Sequence, residues 1–282
     1  MKPQNLTTKT FLDSGDPAET RQVLNLLGFL DGQTTNPSLI SKNPKASGKK
    51  FSQDEVFAFY KQVVKEVTGL IPQGSVSIEV YADASTKTEQ MLEQGRNFFT
   101  WIPNAHIKFP TTTEGLKAAQ QAVEEGIRVN MTLCFSQEQA AAVYAATKGA
   151  VKGDVFVSPF VGRLDDQGEN GMDLIANILQ MYKAGDGHVE VLTASIRSLD
   201  HLLYAIKLGS EIATVPFKIL REWGEKSLPM PDVNFKYQPQ DLSPISYTQI
   251  DLSTNWQDFD IYHKLTDAGI AKFSSDWNAL IK

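Results

Sequence analysis

The chain has 282 residues, 41% apolar and 21% charged, with 19 Gly, 13 Pro and one Cys. That length holds one large domain or two small ones, and the composition excludes collagen-like, disordered and disulfide-stapled classes. A formal net charge of −6 argues against a nucleic-acid partner, and no apolar run is long enough to expect a membrane span. The opening MKPQNLTTKT is polar and lacks an apolar core, so a secretory signal is not expected and a cytoplasmic location is. Cys134 alone can form neither an internal disulfide nor a cysteine-based zinc site.

The first apolar run, Thr10–Asp13, is followed by Asp16-Pro17-Ala18-Glu19. These read as an N-cap, a proline at N1 and a capping-box glutamate, opening a helix to Gly28. Further strand candidates are Phe29–Gln33, Ser75–Val80, Ala105–Phe109 and Arg128–Leu133. Ser136-Gln137-Glu138-Gln139 is a second capping box, for a helix ending near Gly149. Val155–Phe160 precedes a helical stripe of Met172, Ile175, Leu179 and Tyr182, stopped by Gly185. Val189–Ala194 precedes a helix opened by Ser198 with Leu199, Leu202, Leu203 and Ile206 on its apolar face, and Glu211–Val215 is the eighth run.

Alternating strand and helix units imply a parallel sheet, and eight of them imply an α/β fold of one domain, the closed (β/α)8 TIM barrel. The rival, an open doubly wound sheet, usually shows a glycine-rich first turn, whereas Ser14-Gly15-Asp16-Pro17 stands there. In Ser75–Val80 the apolar residues share one face, toward helices, and the polar residues the other, toward a lumen. The barrel is expected over residues 1–223. From 224 to 262 the rhythm breaks into an irregular excursion rich in Pro, Ser, Asp and Gln. Ile270, Phe273, Trp277 and Leu280 then space the apolar stripe of a terminal helix, so 224–282 reads as an addition packed on the barrel.

Working residues of a parallel barrel sit where strands end. Those positions hold Asp13, Asn36, Glu79, Lys108, Asn130 with Thr132, Ser158, and Ser195 with Arg197. Lys108, inside His106-Ile107-Lys108-Phe109-Pro110, should pay desolvation, and a neutral lysine amine condenses with a ketone to form a Schiff base. Taken alone, such a lysine more often snorkels to the rim or pairs with an acid. Asp13 could be a turn or capping residue, whereas Glu79 on a lumen face is costly unless paired or catalytic. Arg163 and Arg197, each beside a hydroxyl in the last loops, together favour an anionic ligand. His106, His188, His201 and His263 are dispersed without metal-ligand spacing, so neither a metal nor a cofactor is expected.

These residues resemble the transaldolase family of class I, Schiff-base enzymes on a (β/α)8 barrel. The matching stretches are Leu12 to Pro17, Asp31-Gly32-Gln33-Thr34-Thr35-Asn36-Pro37-Ser38-Leu39-Ile40, Val76 to Val80 and Ile107 to Ala119. Val129 to Leu133, Ser158-Pro159-Phe160-Val161-Gly162-Arg163 and Ala194 to Arg197 complete them in family order. The resemblance implies Lys108 as the Schiff-base lysine and Asp13 as the acid/base that takes the C4 hydroxyl proton. Glu79 with Thr132 would hold the water of dehydration and hydrolysis. Asn36, Asn130 and Ser158 would bind hydroxyls of the dihydroxyacetone unit, and Arg163, Ser195 and Arg197 the phosphate.

The implied activity is transfer of dihydroxyacetone from sedoheptulose 7-phosphate to glyceraldehyde 3-phosphate, giving erythrose 4-phosphate and fructose 6-phosphate, in the pentose phosphate pathway. Sugar phosphates are the expected partners, with no nucleic acid and no membrane; a homo-oligomer is compatible with the resemblance. The stretch from Arg163 to Met172 and the segment His263 to Gly269 look like the short transaldolases, although Lys264 replaces their usual proline and they lack the excursion. A fructose-6-phosphate aldolase of the same superfamily is the alternative, typically with Gln and Tyr where this chain has Glu79 and Phe160. A non-catalytic sugar-phosphate-binding barrel would be expected to lose the lysine or an acid, and both are kept.

Overall fold

A computed structural model describes residues 2–239 and 241–282. Within them eight parallel strands form a closed barrel in chain order. They are β1 (Lys9–Asp13), β2 (Gly32–Thr34), β3 (Ser75–Glu79), β4 (Ala105–Pro110), β5 (Val129–Cys134), β6 (Val155–Pro159), β7 (Val189–Thr193) and β8 (Ile212–Pro216). The ring closes where β1 pairs with β8 along its whole length. Around it run α1 (Pro17–Leu27), α2 (Pro37–Ser41), α3 (Gln53–Leu70), α4 (Thr88–Phe99), α5 (Thr113–Glu124) and α6 (Gln137–Ala146). They continue with α7 (Val161–Asp165), α8 (Gly171–Tyr182), α9 (Leu199–Leu208), α10 (Phe217–Glu225) and α11 (Lys264–Asn278). The expected single-domain TIM barrel is the fold observed. Among the described residues no helix is long and apolar enough to cross a membrane.

Local differences from expectation have physical causes. The second strand begins at Gly32, not Phe29: Phe29 packs edge-on to Trp223 with centroids 6.2 Å apart. A Cβ at Gly32 would lie 2.6 Å from the Phe11 ring, so only glycine lets that ring fill the lumen beside it. Asp16 does cap α1, accepting from the Ala18 amide, but Glu19 takes the Ser14 hydroxyl instead of closing a capping box. Gln139 likewise accepts from the Phe135 amide at 2.6 Å, one residue ahead of its N-cap Ser136.

The lumen is stratified. Its floor is aromatic, with the His106 ring stacked on Phe156 at 4.1 Å and Phe156 edge-on to Phe11 at 6.1 Å. Burial pushes the His106 imidazole down to about 3, so it stays neutral, with its ring nitrogens bonded to Ser75 Oγ at 2.7 Å and to the Gly153 carbonyl at 2.8 Å. Further toward the strand ends the Asn130 side-chain amide donates to Ser77 Oγ at 3.1 Å.

Among the described residues between α10 and α11 the backbone is mostly irregular, with a 3-10 turn at Trp256–Asp258. It is pinned to the outer helices by polar contacts. Gln137 exchanges two hydrogen bonds with the Thr248 backbone (2.8 and 3.0 Å), Asn177 donates to the Ile245 carbonyl (2.9 Å) and Trp256 Nε1 donates to Gln120 (3.0 Å). Helix α11 then returns over the open end of the barrel, where Thr266 donates to the Leu133 carbonyl at 2.9 Å and Phe57 and Tyr60 of α3 pack on Trp277.

Candidate active site

A cavity of about 370 Å³ opens at the C-terminal end, lined by Asp13, Asn36, Lys108, Ser158, Phe160, Arg163, Ser195 and Arg197. All but Phe160 and Arg163 are residues that sequence reasoning placed at a strand end. Glu79, Asn130 and Thr132 stand behind this wall: Asn130 accepts from the Ser158 hydroxyl at 2.6 Å, and Glu79 lies against Lys108. Barrel geometry explains the convergence, because side chains that point inward from successive parallel strands meet around one axis.

Lys108 and Glu79 come from adjacent strands and are paired in register. The Lys108 Nζ lies 2.7 Å from Glu79 Oε2, and both side chains are about 95% buried, at 4% and 5% exposure. The contact is close but not aligned as a hydrogen bond; the aligned bond of Lys108 goes to the Thr35 carbonyl, at 3.0 Å. Glu79 Oε2 is thus held by the Lys108 charge, while Thr132 Oγ1 is a buried oxygen without a hydrogen-bond partner. Burial raises the Glu79 carboxyl above the ordinary carboxylate range, and the Lys108 charge only partly opposes it.

Burial also raises Asp13, opposed by Lys108 and by the Thr34 hydroxyl, which donates to Asp13 Oδ1 at 2.7 Å. The Thr34 oxygen also contacts Thr214 Oγ1 at 2.6 Å, so the carboxylate is fixed at the end of a hydroxyl chain. Asn36 caps α2 through Oδ1, which accepts the Leu39 amide at 2.9 Å.

The two arginines differ in how they are held. Arg163 lies over the rings of Phe160 and Phe273, 5.2 Å from each centroid, and burial lowers its guanidinium from the usual value. Arg197 is half exposed and paired with Asp166 at 3.0 Å. Gly162 brings their loops together: a Cβ there would fall 2.3 Å from the Ser195 carbonyl oxygen and 2.4 Å from Arg197 Cγ. Ser195 has φ of 59°, a left-handed conformation unusual for a non-glycine residue and often associated with functional loops.

Sequence reasoning missed Lys42, Lys272, Phe273 and Asp276, which also line the cavity. The last three arrive on α11, whose apolar stripe was legible but whose destination was not. Lys272 and Ser38 both bond Asp276, tying α11 to α2 across the mouth. Cys134 is buried, its thiol pushed up to about 12 by burial, and is inert packing.

A family model described as Transaldolase/Fructose-6-phosphate aldolase matches residues 10–282. Curated relatives include a "Probable transaldolase" of Dehalococcoides mccartyi, 36% identical over 97% of this chain and 100% of its own length. Another of the same name, from Herpetosiphon aurantiacus, is 42% identical over 76% of this chain and 86% of its own. The chain belongs to the transaldolase/fructose-6-phosphate aldolase family.

Proposed function

We propose that the protein is a transaldolase that transfers a dihydroxyacetone unit between sugar phosphates through a Schiff base on Lys108. The observation that carries this reading is a buried amine beside Glu79 that reaches a cavity also lined by Asp13, Arg163 and Arg197. An amine must be uncharged to attack a ketone, and a carboxyl raised by burial, as in Glu79, accepts the lysine proton at less cost than an ordinary one. Attack gives a carbinolamine. Its hydroxyl leaves as water with a proton from Glu79, and the Glu79 carboxylate and the unpartnered Thr132 Oγ1 supply two acceptors for that water.

In the iminium so formed, Asp13 takes the proton of the C4 hydroxyl, the C3–C4 bond breaks into the iminium, and an aldose phosphate leaves. The enamine then attacks an incoming aldose, Asp13 returns the proton, and hydrolysis frees the new ketose and the lysine. Asn36, Asn130 and Ser158 would orient the hydroxyls of the retained unit, while Ser195 and the two arginines bind the phosphate that both aldoses carry. The sedoheptulose 7-phosphate, fructose 6-phosphate couple of the pentose phosphate pathway is the substrate set proposed.

Simple cleavage with release of dihydroxyacetone is the second reading, favoured by the family's shared name. Glu79 and Phe160, in place of the Gln and Tyr typical of such aldolases, support transfer. Fructose 6-phosphate supplied with and without erythrose 4-phosphate tests the choice. Transfer predicts glyceraldehyde 3-phosphate release that depends on erythrose 4-phosphate; dihydroxyacetone release at an equal rate without it would make the enzyme an aldolase.

A further inference from the structure

The β2–β3 pairing breaks at the rung that faces Lys108. In a parallel ladder, a residue donates its amide to one strand neighbour and accepts on its carbonyl from the residue two further along. Thr35 follows the first half of this rule, donating to the Ser77 carbonyl at 3.1 Å. The second half would bring the Glu79 amide to the Thr35 carbonyl. Instead that amide donates to the Tyr60 hydroxyl at 3.0 Å, and the Thr35 carbonyl accepts from Lys108 Nζ at 3.0 Å.

Tyr60 stands on α3 with its ring fully buried against Phe98, Trp101 and Trp277. The proton inventory around its oxygen is determined. The Thr35 hydroxyl spends its single hydrogen on the Ser77 carbonyl at 2.7 Å. The Tyr60 hydroxyl, 2.5 Å from Thr35 Oγ1, is therefore the donor of that pair, and its lone pairs are free to accept the Glu79 amide. On an apolar helix face a phenylalanine would fill the same space, so the hydroxyl serves the strand ends, not the core.

We propose that Tyr60 is a positioning residue for the Lys108–Glu79 pair: by taking the Glu79 amide, it leaves the Thr35 carbonyl to hold the lysine amine. With the carbonyl on one side and the carboxylate on another, the remaining direction of Nζ points at the cavity. The inference rests on the reading of Lys108 as the reacting amine.

Tyr60→Phe in the full chain tests it, with Glu79→Gln and the double variant alongside. Removing the hydroxyl lets the Glu79 amide close on the Thr35 carbonyl and displace the amine. We expect kcat for transfer to fall by about tenfold, in line with the cost of small misplacements of reacting groups, with KM changed less than about twofold. The double variant should be no slower than Glu79→Gln alone, because both act on one pair. Unchanged kcat in Tyr60→Phe, or losses that multiply in the double variant, would overturn the proposal. Should Tyr60→Phe not fold, a crystal structure of the unmodified protein decides: the Glu79 amide on Tyr60 supports the proposal, and on Thr35 overturns it. Borohydride trapping of unmodified protein with fructose 6-phosphate separates the two levels. Trapping on Lys108 with an indifferent Tyr60→Phe defeats the positioning role alone; no trapping on Lys108 defeats the catalytic reading and this one with it.

Discussion

The ring of Phe273, on α11, lies 5.2 Å from the guanidinium of Arg163, on α7. With Phe160 at the same distance, Arg163 meets two aromatic faces, while Arg197 is held by the exposed carboxylate of Asp166. Cation–π stacking orients a guanidinium without consuming its donors, whereas an ion pair must be broken or shared when a phosphate arrives.

The arginines should therefore contribute unequally. Arg163→Ala should lower kcat/KM for phosphorylated substrates by about 1.5–3 kcal/mol, the range for a hydrogen bond to a charged group. Arg197→Ala should cost less, and unphosphorylated fructose should be nearly indifferent to either. Arg163→Lys should not rescue, because an ammonium does not stack on aromatic rings as a planar guanidinium does. Steady-state kinetics on the two substrates check this; equal losses on both would mean that the arginines are structural.

Strand ends carry a strong local signal, since a polar residue at the close of an apolar run has little reason to be there unless it faces a site. That is why Asp13, Glu79, Lys108, Ser158 and Arg197 were legible. The contacts of α11 with Arg163 and Ser38 link residues more than a hundred positions apart and leave no local trace. Tyr60 shares its helix face with Val56, Val63, Val64 and Val67 and so reads as core; only the hydroxyl distinguishes it. The excursion is anchored by side chains of Gln137 and Asn177 bonding its backbone, which no apolar periodicity announces.

Asp13 should trade stability for activity. Its carboxyl is raised by burial above the ordinary value of 3.8, so its ionised form opposes folding. Its favourable contribution is complete below that ordinary value and is lost as pH rises through the higher value in the folded protein. Asp13→Asn should thus raise the Tm at pH 7 by about 2–4 °C for each kcal/mol released, with the gain shrinking as pH falls toward 4. Transfer should fall by about 10²–10⁴, the usual contribution of a general acid/base. Thermal unfolding across pH is the check, and a gain that does not depend on pH would contradict this account.

Phe160→Tyr should shift partitioning of the enamine. Phe160 lines the cavity under Arg163 and meets Phe135 edge-on at 5.8 Å, a setting without a proton donor of its own. A phenol there could relay a proton through water to the enamine carbon, raising dihydroxyacetone release from fructose 6-phosphate and lowering transfer to erythrose 4-phosphate. A rise of about tenfold corresponds to about 1.4 kcal/mol of barrier. Unchanged partitioning in a folded, active variant would remove Phe160 from the explanation.

The central claim is that Lys108 carries the substrate, and reductive trapping addresses it most directly. Borohydride added to the protein with fructose 6-phosphate should leave a stable mass adduct, located by peptide mass spectrometry on the segment that contains Lys108. It should be absent from Lys108→Ala. An adduct on another lysine, equal labelling of Lys108→Ala, or no adduct in a protein that turns over the substrate would contradict the account.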